Sequence, residues 1–130
     1  MKKVRVLLVD DDDIQNYLTT RLLRNQLTTV PSVTHNGLEA LKYLESQLQQ
    51  PSDYFPTHVL LDINMPVMDG FTFLEKLSAI REISERRMRI AVLSSSQRDE
   101  DKSTVSRFGQ VTHFLEKPLT PEKLKEFLQS

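Results

Sequence analysis

Short apolar segments alternate along the chain with segments whose apolar residues recur every three or four positions. Short apolar runs are typical of strands buried on both faces, and the wider spacing is typical of amphipathic helices. The predicted strands are Val4–Val9, Val30–Thr34, His58–Leu61, Arg89–Leu93 and Val111–Leu115. A helical segment follows each strand, so the pattern predicts five βα units.

The helical segments differ in the width of their apolar face. Helical spacing is found for Ile14, Leu18 and Leu22, for Leu38, Leu41, Leu44 and Leu48, for Phe71, Leu74, Leu77 and Ile80, and for Leu124, Phe127 and Leu128. The segment Arg98–Phe108 is rich in charged and hydroxyl residues, so we expect it to pack least firmly. Right-handed crossovers with helices on both faces make a doubly wound parallel sheet the expected α/β architecture.

Composition narrows the class of protein. With 130 residues, the chain is expected to form one domain spanning residues 1–130. It has no cysteine, which excludes disulfides and thiolate metal sites. The net charge of −1, with mixed signs along the chain, argues against a nucleic-acid binder. No apolar run approaches the length of a membrane span. We therefore expect a cytoplasmic protein that binds neither nucleic acid nor membrane.

Carboxylates follow directly after two of the predicted strands. Asp10 and Asp11 follow the first strand, and Asp62 follows the third. Ligands of parallel sheets bind beyond the carboxyl ends of the strands, and a pocket of oxygen ligands there suits a hard divalent cation. The run Asp10–Asp13 is also explained by capping of the following helix. The run Asp10–Asp13 by itself does not decide between a metal site and helix capping.

An aspartate at the end of a core strand is also in the usual place for a nucleophile. Asp62 could accept a phosphoryl group on its carboxylate, with a cation offsetting the charge, or could merely cap the loop that follows. The fourth and fifth strands end in Ser94-Ser95-Ser96 and Glu116-Lys117-Pro118. A hydroxyl and an ammonium there could contact phosphoryl oxygens, although each tripeptide alone is an ordinary loop signal.

In their order, these motifs resemble the receiver domain of two-component response regulators, the chemotaxis-regulator-like family. The resemblance covers Lys3 to Phe127. The motifs that carry it are Leu7-Leu8-Val9-Asp10-Asp11, Leu60-Leu61-Asp62-Ile63-Asn64-Met65-Pro66-Val67-Met68-Asp69-Gly70, Val92-Leu93-Ser94-Ser95 and Lys117-Pro118. The resemblance implies a flavodoxin-like sheet of five strands in the order 2-1-3-4-5.

By the same resemblance, the chain would be a phosphorylation-dependent signalling switch. Asp62 would be the phosphoacceptor and would receive its phosphoryl group from a histidine kinase or a phosphotransfer protein. The cofactor would be Mg²⁺, held by Asp10, Asp11, Asp62 and the backbone carbonyl of Asn64. Asp12 would lie no closer than the second shell of the ion, and Asp13 would cap the helix.

The resemblance also assigns the parts of the switch. Ser94 would be the switch hydroxyl, Lys117 would pair with the phosphate, and Phe114 would be the switch aromatic, here without a tyrosine hydroxyl. Two segments depart from the family pattern: Gly109–Lys117 is one residue longer, and Ile80–Arg89 is slightly long and rich in arginine. We interpret Ile80–Arg89 as a solvated loop.

A phosphatase and a nucleotide-binding protein are the two alternatives to the signalling switch. A phosphatase with an aspartate nucleophile typically carries a second acid two residues later, where this chain has Asn64. A nucleotide-binding protein of the P-loop type would need a GxxxxGK loop, which is missing. Because the last helix ends the chain, we expect output through binding to an unknown protein target or onward phosphotransfer, and a stand-alone receiver rather than an excised one.

Overall fold

The protein is a five-stranded parallel sheet covered by helices on both faces, as the computed structural model shows. The structure describes residues 3–65, 68–95 and 99–129, with only the backbone of residues 99 and 100. The predictions that involve Met1, Pro66, Val67, Ser96 and Arg98 therefore lie outside the described residues. The strand order β2-β1-β3-β4-β5 confirms the predicted topology.

The elements follow the predicted alternation. The strands are β1 (Val6–Val9), β2 (Ser32–Thr34), β3 (His58–Asp62), β4 (Arg89–Ser94) and β5 (Val111–Glu116). The helices are α1 (Asp13–Arg24), α2 (Gly37–Gln47), α3 (Gly70–Ala79), α4 (Arg81–Ser84), α5 (Asp99–Val105) and α6 (Pro121–Gln129), with a 3₁₀ turn at Ser52–Tyr54. Among the described residues, no helix combines the length and apolar content needed to cross a bilayer.

Alternate residues of each central strand face opposite layers of the core. Leu7 and Val9 of β1 pack with α2 and α3, whereas Val6 and Leu8 pack with α1 and α6. Burial on both faces explains why these strands read as continuous apolar runs. The arrangement fixes the carboxyl ends of β1, β3, β4 and β5 along one edge of the sheet.

Helix α1 exposes two of the three side chains that define its apolar spacing, and only Leu22 packs partly against the core. Ile14 is 71% exposed and Leu18 is 46% exposed. The buried side chains of α1 are instead Asn16, Thr19 and Leu23. One cause is visible in the bonding: the Asn16 side-chain amide donates to the carbonyl of Asp10 at 2.9 Å, which turns this polar face towards the sheet.

The segments Ile80–Arg89 and Gly109–Lys117, which are longer than the family pattern, adopt different structures. Ile80–Arg89 is not only loop, because it contains the one-turn helix α4 with a buried Ile83. The weak helix predicted as the fourth is consequently α5, in which Val105 is the one fully buried side chain among residues 101–105. The extra residue before Lys117 forms a bulge: Ile90 pairs with Val111, Ala91 pairs with His113, and Thr112 is left between them.

Candidate functional site

Three carboxylates converge at the carboxyl edge of the sheet. Oxygen atoms of Asp10, Asp11 and Asp62 all lie within 4.8 Å of one another. Asp10 and Asp62 are buried, whereas Asp11 is exposed. These are hard oxygen donors of the kind that Mg²⁺ prefers, so their chemistry fits the predicted cation. The sequence-predicted carboxylates are thus brought together in one pocket.

Lys117 completes the buried part of this pocket. Its Nζ atom donates to Oδ2 of Asp10 at 3.2 Å and to Oδ2 of Asp62 at 3.3 Å. The backbone N–H of Lys117 donates to the carbonyl of Ser94 at 2.8 Å, which anchors the end of β5 to the end of β4. One ammonium therefore partly neutralises two buried carboxylates that would otherwise repel each other.

Asp10 is held by polar partners that the strand-end argument did not predict. Its N–H donates to the carbonyl of Thr34 at 3.1 Å, and its own carbonyl accepts from Asn16. The Oδ1 atom of Asp10 accepts from the N–H of Asp12 at 2.9 Å. In the sequence, the one possible sign of these hydrogen bonds is Asn16, an asparagine among the positions of α1 that face the sheet.

Asp62 is held from the loop that follows β3. Its Oδ1 atom accepts from the backbone N–H of Asn64 at 2.9 Å. Beneath this loop Gly70 makes a close approach, because a Cβ atom there would lie 2.7 Å from Cα of Ile63 and 3.2 Å from the carbonyl oxygen of Asp62. Glycine at position 70 thus permits α3 to start directly under the phosphoacceptor candidate.

The electrostatics of the pocket favour a cation. Burial raises the pKa of Asp62, and the hydrogen bond from Asn64 and the charge of Lys117 offset burial only in part. Burial alone would lower the pKa of Lys117, but attraction to Asp62 and Asp10 outweighs it, so the pKa of Lys117 lies above its ordinary value. A carboxylate that resists ionisation beside a lysine that resists deprotonation gains from a further positive charge.

The structure gives the capping role at the start of α1 to Asp12 and not to Asp13. Asp12 is the N-cap of α1, because its Oδ1 atom accepts from the N–H groups of Ile14 at 2.9 Å and Gln15 at 3.2 Å. The prediction that Asp13 caps the helix is therefore wrong. Asp13 is the first helical residue and lies 3.3 Å from Nε2 of His35 on the surface.

The two predicted switch residues flank the carboxylates on neighbouring strands. Ser94 is buried at the end of β4, one residue beyond Leu93, which pairs with Asp62. Phe114 is half-buried in β5, and Nζ of Lys102 lies 5.6 Å from the centre of its ring. This contact links α5 to β5 through a cation–π interaction.

Asn64 is exposed and occupies the position where a phosphatase of this kind would carry its second acid. It contributes its backbone N–H to Asp62, and its side chain has no group that titrates near neutral pH. The role of the Asn64 carbonyl as a metal ligand stays a prediction. The pocket accordingly offers a nucleophile and a lysine, but no paired acid at position 64 for repeated acid–base turnover.

Comparison with protein families gives one match over nearly the whole chain. The model of the response regulator receiver domain matches residues 6–129. Among curated proteins, the "uncharacterized 14.6 kDa protein in sodA1 3'region" of Leptolyngbya boryana is 31% identical over 130 residues, covering 99% of this chain and 90% of that protein.

A second relative is much longer than this chain. A protein-glutamate methylesterase/protein-glutamine glutaminase of Halalkalibacterium halodurans is 30% identical over 134 residues, covering 97% of this chain but only 35% of that protein. The similarity spans about a third of the methylesterase, so the activity of that whole protein is not carried over to this chain.

Solved structures agree on the fold. A two-component response regulator from Cytophaga hutchinsonii has a TM-score of 0.86 and 29% identity, covering 99% of this chain and 96% of that one. The chemotaxis protein CheY4 of Vibrio cholerae has a TM-score of 0.80 and 27% identity, covering 98% and 97%. The matching parts include all five strands and therefore the whole acidic edge.

Proposed function

Because the chain belongs to the response regulator receiver family, we propose that it accepts a phosphoryl group on Asp62 and thereby changes its affinity for a partner protein. The observation that carries this proposal is the bridging of Asp10 and Asp62 by the ammonium of Lys117 at 3.2 and 3.3 Å. The proposal treats residues 1–130 as one receiver domain, supported by the single sheet that both core layers share.

In the proposed reaction, a carboxylate oxygen of Asp62 attacks the phosphorus of a phosphohistidine. An O–P bond forms and the N–P bond breaks, and the electron pair stays on the imidazole nitrogen of the donor protein. Water later attacks the same phosphorus, which returns the Asp62 carboxylate and inorganic phosphate. The chain would thus catalyse only its own phosphorylation and dephosphorylation.

The proposed cation site consists of Asp10, Asp11, Asp62 and the carbonyl of Asn64. Bound Mg²⁺ would supply the positive charge that lets an anionic carboxylate meet an anionic phosphoryl group. Asp10 and Asp62 are pre-oriented for this by the N–H groups of Asp12 and Asn64. Lys117 already contacts both buried carboxylates, so its ammonium can pass to a phosphoryl oxygen by a small movement.

The proposed switch follows from contacts that only the phosphorylated state offers. A phosphoryl group adds nearly two negative charges and gives the Ser94 hydroxyl and the Lys117 ammonium new acceptors. Only such differential contacts shift a two-state equilibrium. We assign the movement to α5, which buries one side chain among residues 101–105 and contacts β5 through Lys102 and Phe114, an interaction of about 0.5–1 kcal/mol.

The proposed phosphoryl donor is a histidine kinase or a phosphotransfer protein, acting in the cytoplasm without nucleic acid or membrane. It must contact the surface that flanks the pocket, because its histidine has to reach Asp62. Helix α1 begins directly after the pocket residues and exposes Ile14, Tyr17 and Leu18 side by side. Adjacent exposed apolar side chains are typical of protein-binding surfaces, so we assign this face to the donor.

The experiment is incubation with radiolabelled acetyl phosphate and Mg²⁺, followed by measurement of protein-bound phosphate. The wild-type chain and Asp13→Asn, a surface control, are expected to incorporate a single group that is stable in acid and labile in base. Asp62→Asn is expected to incorporate none. Equal labelling of Asp62→Asn would refute the site, and sustained release of phosphate from p-nitrophenyl phosphate would identify a phosphatase instead.

A further inference from the structure

A large groove opens at the amino edge of the sheet, opposite the acidic pocket. Its volume is about 1160 Å³, somewhat larger than the roughly 300–1,000 Å³ of typical small-molecule sites. Three separate segments form its walls: residues 3–5 before β1, residues 51–58 around the 3₁₀ turn, and residues 85–89 before β4. The groove is therefore an open depression built from several parts of the chain and not from one element.

The groove is basic although the chain as a whole has a net charge of −1. The cations among its lining residues are Lys3, Arg5, Arg86, Arg87 and Arg89. The acids are Asp53 and Glu85, and the Glu85 carboxylate already accepts from Nε of Arg81 at 2.8 Å. Positive charge thus dominates this edge, and most of it is guanidinium, which binds phosphate oxygens bidentately.

Two nitrogen atoms in the groove walls lack a hydrogen-bond partner within the part of the chain that the structure describes. They are Nε of Arg5 and Nε2 of His58, both buried. His58 is only 5% exposed, and its other ring nitrogen is 2.8 Å from Oγ1 of Thr57. Buried polar atoms are rarely left in this state, so the wall of the groove includes polar groups. Both atoms lie below the surface, and a ligand in the groove would meet the exposed guanidinium groups of Arg87 and Arg89 instead.

Two of the four arginines of the groove already stack on aromatic rings before any ligand binds. The guanidinium of Arg5 lies 5.1 Å from the ring centre of Tyr54, and that of Arg86 lies 4.9 Å from the ring centre of Phe55. Arg87 has a left-handed backbone with φ of 56°, which is uncommon for a residue other than glycine. Side chains that are already ordered lose less conformational entropy when a ligand binds.

We infer that this groove binds a compact oligophosphate anion, either an inorganic oligophosphate or the phosphate chain of a nucleotide. Several guanidinium groups around one volume match several phosphate groups in one small ligand. An extended acidic peptide would instead need cations spaced along a strip. The site is separate from the phosphoacceptor pocket, because β1, β3 and β4 run from the groove at their amino ends to the acidic edge at their carboxyl ends.

The test is isothermal titration calorimetry of the intact chain with tripolyphosphate, ATP, orthophosphate and adenosine, in EDTA so that the acidic pocket cannot contribute through a metal. Tripolyphosphate is expected to bind with one-to-one stoichiometry and more tightly than orthophosphate. Similar affinities for ATP and tripolyphosphate would identify the phosphate chain as the whole ligand, and tighter ATP binding would identify a nucleotide. Both outcomes support the inference.

The variants separate this site from the rest of the surface. Arg87→Gly suits the left-handed backbone and removes a charge, and combined with Arg89→Gln it is expected to weaken tripolyphosphate binding at least tenfold. Lys42→Gln, an exposed cation outside the groove, and Asp62→Asn are expected to leave binding unchanged. The inference is overturned by unchanged affinity of the double variant, by adenosine binding as tightly as ATP, or by tripolyphosphate binding no more tightly than orthophosphate.

Discussion

The two edges of the sheet differ in charge although the same strands build both. At the carboxyl edge, three carboxylates lie together, and Lys117 contacts the two buried ones, Asp10 and Asp62. At the amino edge, arginines and a lysine surround a groove in which Arg5 and His58 have nitrogen atoms without a described partner. Parallel strands point the same way, so each edge collects only the residues that precede or only those that follow the strands. One sheet can therefore carry two sites of opposite charge.

The edges also differ in how their charges are compensated. The acidic edge is organised by backbone N–H groups and by Lys117, which hold its carboxylates at short distances. The basic edge is organised by aromatic rings beneath guanidinium groups. Backbone bonds fix individual atoms for chemistry, whereas stacking leaves the ends of the guanidinium groups available to a ligand. We expect substitutions at the two edges to have different consequences.

The largest effect is expected when the shared ammonium is removed. Lys117→Met leaves Asp10 and Asp62 buried beside each other without their cation, which should lower the free energy of unfolding by about 3 kcal/mol in EDTA. Mg²⁺ should restore part of this loss. Urea denaturation with and without Mg²⁺ measures both, with the exposed Lys125→Met as control. Unchanged stability of Lys117→Met would mean that the ion pairs do not hold this edge together.

A smaller effect is expected from the close approach under Asp62. Gly70→Ala forces its new methyl group against the backbone of Ile63 and should cost about 2 kcal/mol of stability. Gly109 is a matched control because a Cβ atom there meets nothing within 4 Å. Thermal unfolding of both variants distinguishes them. Equal unfolding temperatures of the Gly70→Ala and Gly109→Ala variants would show that the loop after β3 can move to accommodate the new methyl group.

At the amino edge the expected effect depends on pH. Burial, followed by the charges of Arg89 and His113, lowers the pKa of His58 from 6.5 to about 4. Between pH 4 and pH 6.5, His58 is therefore mostly protonated in the unfolded chain and mostly neutral in the folded chain. The contribution of His58 to the free energy of unfolding is fully present above pH 6.5. It is lost as the pH falls towards 4, by about 2 kcal/mol between pH 6 and pH 4.

His58→Leu should remove this part of the pH dependence, whereas substitution of the exposed His35 by glutamine should not. Urea midpoints measured at several pH values between 4 and 7 give the two slopes. Parallel curves for wild type and His58→Leu would contradict the low pKa of His58.

The smallest effects separate the neighbouring aspartates of the Asp10–Asp13 run. Asp12→Ala removes the N-cap of α1 and should cost about 1 kcal/mol of stability while changing Mg²⁺ affinity little. Asp11→Ala should weaken Mg²⁺ binding more than Asp12→Ala does, because Asp11 belongs to the carboxylate cluster. Metal titration with a fluorescence or calorimetric readout ranks the two. The reverse order would mean that the metal-facing aspartates are misassigned.

The acidic edge could be predicted from sequence because its parts are strand ends. Asp10 and Asp62 end apolar runs and Lys117 follows the last predicted strand, and a parallel sheet brings such strand ends together whatever the details of packing. The capping role of Asp12 could not be separated from that of Asp13, because helix starts are uncertain by a residue or two. The face of α1 that packs on the sheet could not be predicted either. Asn16 is buried because its side chain donates to the backbone carbonyl of Asp10, and the spacing of apolar residues does not reveal that bond.

The basic edge could not be predicted because no single segment carries its pattern. Arg86, Arg87 and Arg89 look like a solvated loop until Arg5 and the 3₁₀ turn are placed opposite them. Their convergence depends on where strands begin, and the preceding loops vary freely in length and conformation. The unpartnered nitrogen of His58 likewise depends on tertiary packing against Phe127, whose ring centre is 5.0 Å away.

We propose that Asp62 is the residue at the acidic edge that changes chemically. The most direct test of this proposal is borohydride reduction of the acetyl-phosphate-treated protein, followed by peptide mass spectrometry, because borohydride converts an aspartyl phosphate to homoserine. Homoserine is expected at position 62 alone, and only when Mg²⁺ was present during phosphorylation. Homoserine at position 10 or 11 with position 62 intact would contradict it.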